Sequence, residues 1–173
     1  MPAEVQIQTR LFADDGETVN NPSLPLVLMR GTEAAEAKDP AAWFEARFAA
    51  NGWGASWRWG VYPYHHFHTN SHEVLGVARG EAELLMGGAK GERFTVTVGD
   101  VVVIPAGVGH KCERSSTGFQ VVGAYPDAVG PDLIRSGETE PEDLRAAVSR
   151  VPLPACDPVY GAEGPLMECW RKR

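Results

Sequence analysis

Residues 65–73 read HHFHTNSHE and bring four of the chain's five histidines together with one carboxylate. His66 and His68 are two positions apart, and because side chains alternate along a strand, both imidazoles project from one face of an extended segment. On a helix they would diverge, and Pro63 just before them also disfavours a helix. The spacing therefore predicts a strand that presents two imidazoles to one point.

Two later segments can bring further ligands to the same point. Asn70 and Ser71 favour a turn that returns Glu73, and the run VVVI leads through the turn PAGVG to His110. Three neutral imidazoles and one carboxylate suit a divalent transition metal that keeps open positions for water or substrate. The predicted metal ligands are His66, His68, Glu73 and His110.

The two remaining histidines of the cluster have the opposite strand parity. His65 and His72 are therefore expected to lie at the surface or to pack against the sheet. A rival assignment, in which His72 replaces His66 or Glu73 as a ligand, requires a local bulge and stays open.

No catalytic residue is identified by the sequence, but three candidates are Arg114, Tyr64 and Cys112. Arg114 and Cys112 continue the parity of His110, so a regular strand would aim both into the site. There Arg114 could clamp a substrate carboxylate, or it could already have reached solvent at the rim. Cys112 could lie near the metal, but a role as a small buried hydrophobe is favoured.

Aromatic residues precede the histidine cluster. Tyr62 and Tyr64 share the parity of His66 and could line the mouth of a site, although packing is the commoner role of such residues. For Trp57 and Trp59 a buried sheet face is favoured, while a row of aromatics beside a pocket would also suit a flat or apolar substrate.

Composition bounds the class of protein. The chain has 173 residues, 43% of them apolar, with 19 Gly and 13 Pro, which favours one domain built from many short strands. The net charge of −7 disfavours nucleic acid and anionic membranes as partners. Three cysteines without a CxxC pair are expected to be free thiols. No signal peptide or membrane span is visible, so a cytoplasmic location is expected.

The pattern along the chain divides into three parts of one domain. Residues 1–52 are expected to form two strands and a helix, capped by Asp39 and with Trp43 and Phe48 facing the core. Residues 53–126 read as short strands separated by glycine and are expected to form the β core. Residues 127–173 are expected to give one short helix at PEDLRAAVSR and a tail without helix that wraps the barrel or a partner subunit.

These residues resemble the motifs of the cupin superfamily. The first motif, G-x5-H-x-H-x4-E-x6-G, is matched at every position, and the second, G-x5-P-x-G-x2-H-x3-N, departs only at its end, where Arg114 replaces Asn. The motifs cover residues 60–114, about a third of the chain. The matching residues are Gly60, His66, His68, Glu73, Gly80, Gly99, Pro105, Gly107 and His110.

The resemblance implies a fold and a range of chemistries. A small single-domain bacterial cupin would be an all-β jelly-roll barrel, the double-stranded β-helix, here with a short N-terminal helix and a C-terminal extension. It would hold one divalent ion, Fe, Mn, Ni or Zn, through the matching positions.

The expected function is a metal-dependent enzyme acting on a small molecule. A dioxygenase is favoured and an isomerase or lyase comes next, while a non-catalytic protein that binds a small ligand or metal is the alternative. A homodimer is also expected, with the tail around Leu166, Met167 and Trp170 contributing. A large polar cavity with a free coordination site would favour the enzyme, and a closed barrel would favour the binding protein.

Overall fold

Two antiparallel β-sheets pack face to face in the computed structural model, which describes residues 5–171. In chain order the strands are β1 (Gln6–Arg10), β2 (Leu26–Arg30), β3 (Trp53–Trp59), β4 (His66–Phe67), β5 (Glu73–Arg79), β6 (Glu81–Met86), β7 (Glu92–Thr97), β8 (Val101–Ile104), β9 (His110–Ser115), β10 (Gln120–Pro126) and β11 (Ile134–Arg135). The helices are α1 (Pro40–Ala50), α2 (Pro141–Ser149) and α3 (Pro165–Cys169), with a 3-10 turn at Glu33–Glu36.

The first sheet has six strands in the order β1-β2-β8-β5-β10-β3, and the second has five in the order β11-β4-β9-β6-β7. Leu28, Leu75 and Val102 of the first sheet meet Leu84 and Phe94 of the second in a core between the sheets. The predicted all-β jelly roll with an early helix and a C-terminal extension is therefore confirmed.

The four inner strands of the first sheet, β2, β8, β5 and β10, are buried on both faces, which explains the continuous apolar runs LVLM and VVVI. The outer face of this sheet packs against α1 and the C-terminal tail in a second core that includes Val27, Val103 and Phe44. Phe44 lies so close to β5 that a Cβ atom at Gly76 would come within 2.6 Å of its ring. Only glycine at position 76 lets the helix lie this near the strand.

The predicted N-terminal helix is confirmed as α1. Asp39 accepts a hydrogen bond from the Ala42 backbone N–H at 3.1 Å, and Pro40 occupies the first turn, where its missing N–H costs nothing. Phe44 and Phe48 are fully buried. Trp43 is only partly buried and lies beneath the Arg47 guanidinium, 4.4 Å from the ring centroid.

The predicted helix at PEDLRAAVSR is α2, whose Leu144 and Val148 are buried. The expectation of a tail without helix was wrong, because α3 forms there. Pro165 lies in the first turn of this helix, where a missing backbone N–H breaks no helical hydrogen bond. The buried Asp157 carboxylate accepts the Leu166 backbone N–H at 2.9 Å. The glycine and proline residues of the tail argued against a helix, and the sequence did not reveal that Asp157 would stabilise its first turn.

The tail packs against its own chain. Leu166 and Trp170 are buried in the core outside the first sheet, and the Trp170 indole N–H donates to the Pro25 carbonyl at 2.8 Å. These two side chains are therefore unavailable as the dimer contacts that the sequence suggested. Within residues 5–171, no helix is both long enough and apolar enough to cross a lipid bilayer.

Candidate metal centre

Three buried side chains from separate β segments meet between the sheets. Glu73 begins β5, His110 begins β9, and His68 directly follows β4. One ligand atom from each residue lies within 4.8 Å of the others. Phe67 is buried in a different cluster with Val19 and Leu144. The structure therefore has the predicted alternation, with His66 and His68 on one face of the segment and Phe67 on the other.

Glu73 is the centre of this group. One carboxylate oxygen lies 3.1 Å from His110 Nε2, and the other lies 3.5 Å from His68 Nε2. We name His68, Glu73 and His110 the triad.

Backbone carbonyls fix the tautomer of each imidazole. A carbonyl oxygen can only accept, so the Nδ1 atoms of His68 and His110 must carry hydrogens that donate to Asp132 and Val108, the latter at 3.1 Å. In the neutral rings each Nε2 therefore carries a lone pair directed away from the backbone. This is the arrangement of histidines that bind metals in proteins.

The triad fits a divalent transition metal. Two Nε2 lone pairs face a carboxylate that offers only lone pairs, so these atoms need a shared proton or a cation between them. Neighbouring ligands on an ion with bonds of about 2.1 Å lie roughly 3 Å apart, close to the 3.1 and 3.5 Å found from Glu73. Two histidines and one carboxylate with open positions are typical of non-haem Fe(II) sites.

The charge of Glu73 dominates the electrostatics of the site. Burial would raise the pKa of Glu73, but His68 and His110 lower it well below its ordinary range, so the carboxylate is ionised. Burial likewise opposes protonation of His68, yet its contact with Glu73 raises the pKa of this imidazole above its usual value. A proton on His68 therefore competes with a metal ion for the same Nε2 atom.

His66 lies beside the triad without belonging to it. Its ring centroid is 4.0 Å from that of His110, with which it pairs across β4 and β9, and its Nδ1 donates to the Tyr64 carbonyl at 2.9 Å. Burial and the neighbouring His110 lower the pKa of His66 to about 3, so this ring is neutral. Its assignment as a fourth ligand stays a prediction.

A hydrogen-bonded chain that the sequence did not reveal supports Glu73. The Tyr125 hydroxyl donates to Glu73 Oε2 at 2.9 Å and accepts the Trp57 indole N–H at 2.8 Å. Trp57 lies against Gly123, where a Cβ atom would come within 2.2 Å of its ring. This close approach needs glycine and fixes the position of the indole.

Asp132 is a second supporting residue that the sequence did not reveal. Its backbone carbonyl accepts from His68 Nδ1, and its carboxylate accepts the Thr69 backbone N–H at 2.7 Å and the Thr69 hydroxyl. Asn70 adds hydrogen bonds to Gly130 and to the Asp132 backbone N–H. The segment after β10 is thus tied to the histidine cluster.

The triad lies on the wall of a cavity of about 490 Å³, within the usual range for small-molecule sites. We name it the central cavity. Its lining residues are Trp57, Trp59, Gly60, Val61, Tyr62, Pro63, His66, His68, Glu73, Leu75, His110, Tyr125, Pro131, Asp132 and Leu133.

Comparison with known proteins identifies the family. The Cupin domain model matches residues 59–122, the part of the chain that contains the triad. YjlB, an uncharacterized protein of Bacillus subtilis (strain 168), is 43% identical over 169 residues, which cover 98% of this chain and 99% of YjlB. The protein belongs to the cupin family.

Solved structures similar to this cupin are more distant. The WlaRB TDP-quinovose 3,4-ketoisomerase of Campylobacter jejuni shares 11% identity over 84% of this chain and 99% of its own, with a TM-score of 0.43. An oxalate decarboxylase of Bacillus subtilis shares 14% identity over 78% of this chain, with a TM-score of 0.37. The cupin spans 29% of that decarboxylase chain.

Of the two alternatives for Arg114, the structure has the one in which this residue lies in solvent, outside the candidate site. Its side chain is 79% exposed and forms an ion pair with Glu83 at 2.8 Å on the outside of the second sheet. Cys112 pairs with Leu84 and Arg114 with Glu83, so two residues of β9 oppose one of β6. This bulge reverses the strand parity after Cys112.

Cys112 itself is a packing residue in the structure. It lies at the edge of the core between the sheets and is absent from the lining of the central cavity. Burial raises the pKa of its thiol, which disfavours the reactive thiolate. The position of Cys112 therefore matches the favoured interpretation that this residue packs as a small hydrophobic side chain.

His72 packs behind the triad, as its parity predicted. Its Nδ1 accepts the Ala106 backbone N–H at 2.9 Å, and its Nε2 faces the Pro152 carbonyl at 3.2 Å. Both nitrogens are occupied, so His72 has no lone pair left for a metal, and the rival ligand assignment fails. His65 is only half-buried, and no candidate ligand group formed by residues 5–171 includes it.

The aromatic residues of this cupin divide between packing and the cavity. Tyr62 lines the central cavity, and its ring stacks on Tyr64 with centroids 4.9 Å apart. Tyr64 lies on the other side of that stack, beneath the Arg135 guanidinium, and does not line the cavity. Trp59 was expected on a buried face but is 71% exposed, because β3 is an edge strand whose outer end lies at the mouth of the cavity.

Proposed function

We propose that this cupin is a metal-dependent enzyme that acts on a small molecule in the central cavity. The observation that carries the proposal is a buried triad of metal-ligand type at the wall of a cavity of about 490 Å³. A closed barrel would leave a bound metal without access to substrate. The cavity instead supports the enzyme over a protein that only stores metal.

His68, Glu73 and His110 would hold the ion, and His66 is the candidate for a fourth ligand. When bound, the ion would supply Lewis-acid chemistry at open positions for substrate oxygens, with dioxygen as a further partner if the metal is Fe(II). The resemblance to non-haem iron triads supports a dioxygenase first, and Mn, Ni or Zn would favour an isomerase or lyase.

The residues around the triad would orient ligands and exclude water. The Tyr125 hydroxyl fixes the rotamer of Glu73 through a bond of 2.9 Å. The carbonyls of Asp132 and Val108 hold both ligand imidazoles in the tautomer that offers Nε2. Because its pKa is lowered to about 3, His66 would act at neutral pH as a ligand or an acceptor rather than as a proton donor.

Dioxygen consumption by the iron-loaded protein tests this proposal. The protein is loaded separately with Fe(II), Mn(II), Ni(II) or Zn(II), and each form is assayed with a panel of small oxygenated substrates for oxygen uptake and product formation. We expect turnover with one metal and its loss in Glu73→Gln. Glu45→Gln is the matched control, because Glu45 forms only a surface ion pair with Arg58.

Full metal loading without turnover by any metal-loaded form would contradict the proposal that this cupin is an enzyme. Such a protein would be the non-catalytic metal-binding or ligand-binding cupin that is the alternative.

A homodimer and a cytoplasmic location complete the proposal. The edge strand β1 carries the exposed Ile7 and is followed by the exposed Leu11, a surface that supports pairing with a second copy. Light scattering should then give about 37 kDa, twice the 18.7 kDa of the chain. A mass near that of one chain would contradict the dimer.

A further inference from the structure

One wall of the central cavity is a surface segment with little apolar burial. Residues 127–133 follow β10, and Pro131, Asp132 and Leu133 of this segment line the cavity. We name residues 127–133 the wall segment. None of the apolar clusters that the described residues form includes a residue of this segment. A segment with so few buried apolar contacts opens locally at a small cost in free energy.

The backbone at the start of the wall segment has the character of a hinge. Asp127 and Ala128 both have a φ of +55°, in the left-handed region that is disfavoured for residues with a Cβ atom. Hinges are formed by a few residues at the ends of elements that absorb such changes in backbone angle. This backbone therefore favours release of the wall segment unless other contacts hold it in place.

A polar clasp supplies contacts that hold the wall segment. The Asp132 carboxylate accepts the Thr69 backbone N–H at 2.7 Å and also the Thr69 hydroxyl. The Asn70 side chain donates to the Gly130 carbonyl at 3.0 Å and accepts the Asp132 backbone N–H at 3.0 Å. We name Thr69, Asn70 and Asp132 the clasp. Thr69 is only 5% exposed, and hydrogen bonds to a carboxylate are of the stronger, charge-assisted kind.

The clasp is joined directly to a residue of the triad. His68 precedes Thr69, and its Nδ1 donates to the Asp132 backbone carbonyl. With an ion bound at Nε2, the imidazole becomes more positive and its Nδ1–H becomes a stronger donor to that carbonyl. A stronger bond from His68 to Asp132 holds the wall segment more firmly. Because coupling between two equilibria is reciprocal, contacts that hold Asp132 in place also favour binding of the ion.

We propose that the clasp couples occupation of the metal centre to closure of the wall segment, with Thr69 and Asp132 as positioning residues for His68. This inference rests on the proposed metal-dependent function and adds a means of regulation to the same site. Binding of the metal holds the wall segment closed and completes the cavity in which the substrate lies. Loss of the metal lets the segment open at Asp127 and Ala128.

Hydrogen exchange measured by mass spectrometry follows the wall segment directly. Peptides that cover residues 127–136 are compared between metal-free protein and protein saturated with Zn(II). We expect Zn(II) to slow exchange of these amides about tenfold, because a charge-assisted hydrogen bond is roughly twice as strong as a neutral one. The exposed turn of residues 116–118, between β9 and β10 and outside the cavity, is the internal reference and should not change. Unchanged exchange of residues 127–136 in protein that has bound Zn(II) would overturn the proposal.

Thr69→Val tests the clasp, because it removes the hydroxyl donor and keeps the backbone N–H. We expect this variant to bind Zn(II) about tenfold more weakly and to exchange residues 127–136 faster in the metal-free state. Thr69→Ser keeps the hydroxyl and should restore both properties. Thr32→Val is the matched control, because Thr32 is also buried and its hydroxyl donates to the Gly99 carbonyl at 2.6 Å, outside the cavity.

Asn70→Ala is a second test that leaves the buried residues intact. Asn70 is exposed, so its removal deletes the bonds to Gly130 and Asp132 without creating an internal cavity. This variant should also speed exchange of residues 127–136. If neither Thr69→Val nor Asn70→Ala changes this exchange, or if Thr32→Val changes exchange and Zn(II) affinity to the same extent as Thr69→Val, the clasp is rejected.

The same measurements separate this inference from the proposed function. Metal binding and turnover together with unchanged exchange of residues 127–136 would leave the enzyme standing and reject the coupling. Absence of metal binding would reject the metal-dependent function and its regulation. Faster exchange in metal-free Thr69→Val would then still show that the clasp holds the wall segment.

Discussion

Replacing Tyr125 with phenylalanine should weaken metal binding 10- to 100-fold. The change removes one hydroxyl, which donates to Glu73 at 2.9 Å and accepts from Trp57 at 2.8 Å. A hydrogen bond to a charged group contributes about 1.5–3 kcal/mol, and each 1.4 kcal/mol corresponds to roughly tenfold in affinity. Loss of a residue that orients a metal ligand typically costs about 10- to 100-fold.

Tyr160→Phe is the matched control for this prediction. The Tyr160 hydroxyl donates to the Glu33 carboxylate at 2.7 Å, and Tyr160 lies outside the central cavity. Both variants lose a hydroxyl bonded to a carboxylate, so both should lose about 1–3 kcal/mol of unfolding free energy. Only Tyr125→Phe should change the metal affinity.

Competition with a coloured chelator gives the affinity for Zn(II) or Mn(II), and urea unfolding of the metal-free proteins gives their stabilities. The reasoning is refuted if Tyr125→Phe binds metal as tightly as the original protein, or if Tyr160→Phe weakens binding to the same extent.

Three further changes have defined outcomes. Arg114→Ala should leave metal content and turnover unchanged and alter the unfolding free energy by less than about 1 kcal/mol, because the ion pair of Arg114 with Glu83 is at the surface. A loss of activity in this variant would show that Arg114 contributes to the site. Gly76→Ala should lower the unfolding free energy measured in urea by about 1–3 kcal/mol, since the added Cβ atom would overlap the Phe44 ring. Gly130→Ala is the control and should not lower it, because the space around Gly130 is open. Equal stabilities of the two variants would contradict the close packing of α1 on β5. Burial lowers the pKa of His72 to about 4, so its contribution to stability is complete above pH 6.5 and is lost as the pH falls toward 4, by at most about 3 kcal/mol. His72→Asn, which keeps an acceptor for the Ala106 N–H, should reduce this pH dependence in urea titrations, and an unchanged slope would assign it to other groups.

The histidine cluster could be read from the sequence because its geometry is local. Alternation along a strand puts His66 and His68 on one face and Phe67 on the other, and the structure has this arrangement. Helix α1 was equally predictable, since Asp39 and Pro40 are start signals that act within one turn.

The supporting residues could not be predicted, because they depend on pairing between distant segments. Tyr125 reaches Glu73 only because β10 pairs with β5 in a register that opposes Gly123 to Leu75. Asp132 reaches His68 only because the chain after β10 returns across the second sheet. Neither register is set by the residues next to these side chains.

Arg114 illustrates how one inserted residue overturns a parity argument. The step from His110 to Arg114 is even, and a regular strand would keep both side chains on one face. The bulge on β9 after Cys112 turns Arg114 outward to Glu83. The letters KCERSS contain no glycine or proline that would mark such a bulge.

Metal stoichiometry tests the central claim most directly. Elemental analysis of protein purified without chelator, followed by titration of the chelator-treated protein with Fe(II), Mn(II), Ni(II) and Zn(II), counts the ions bound by each chain. We predict one ion per chain in the original protein, and none at the same concentrations in a variant that combines His68→Ala with Glu73→Gln. Failure of the original protein to bind any of the four ions, or full binding by that variant, would contradict the metal centre.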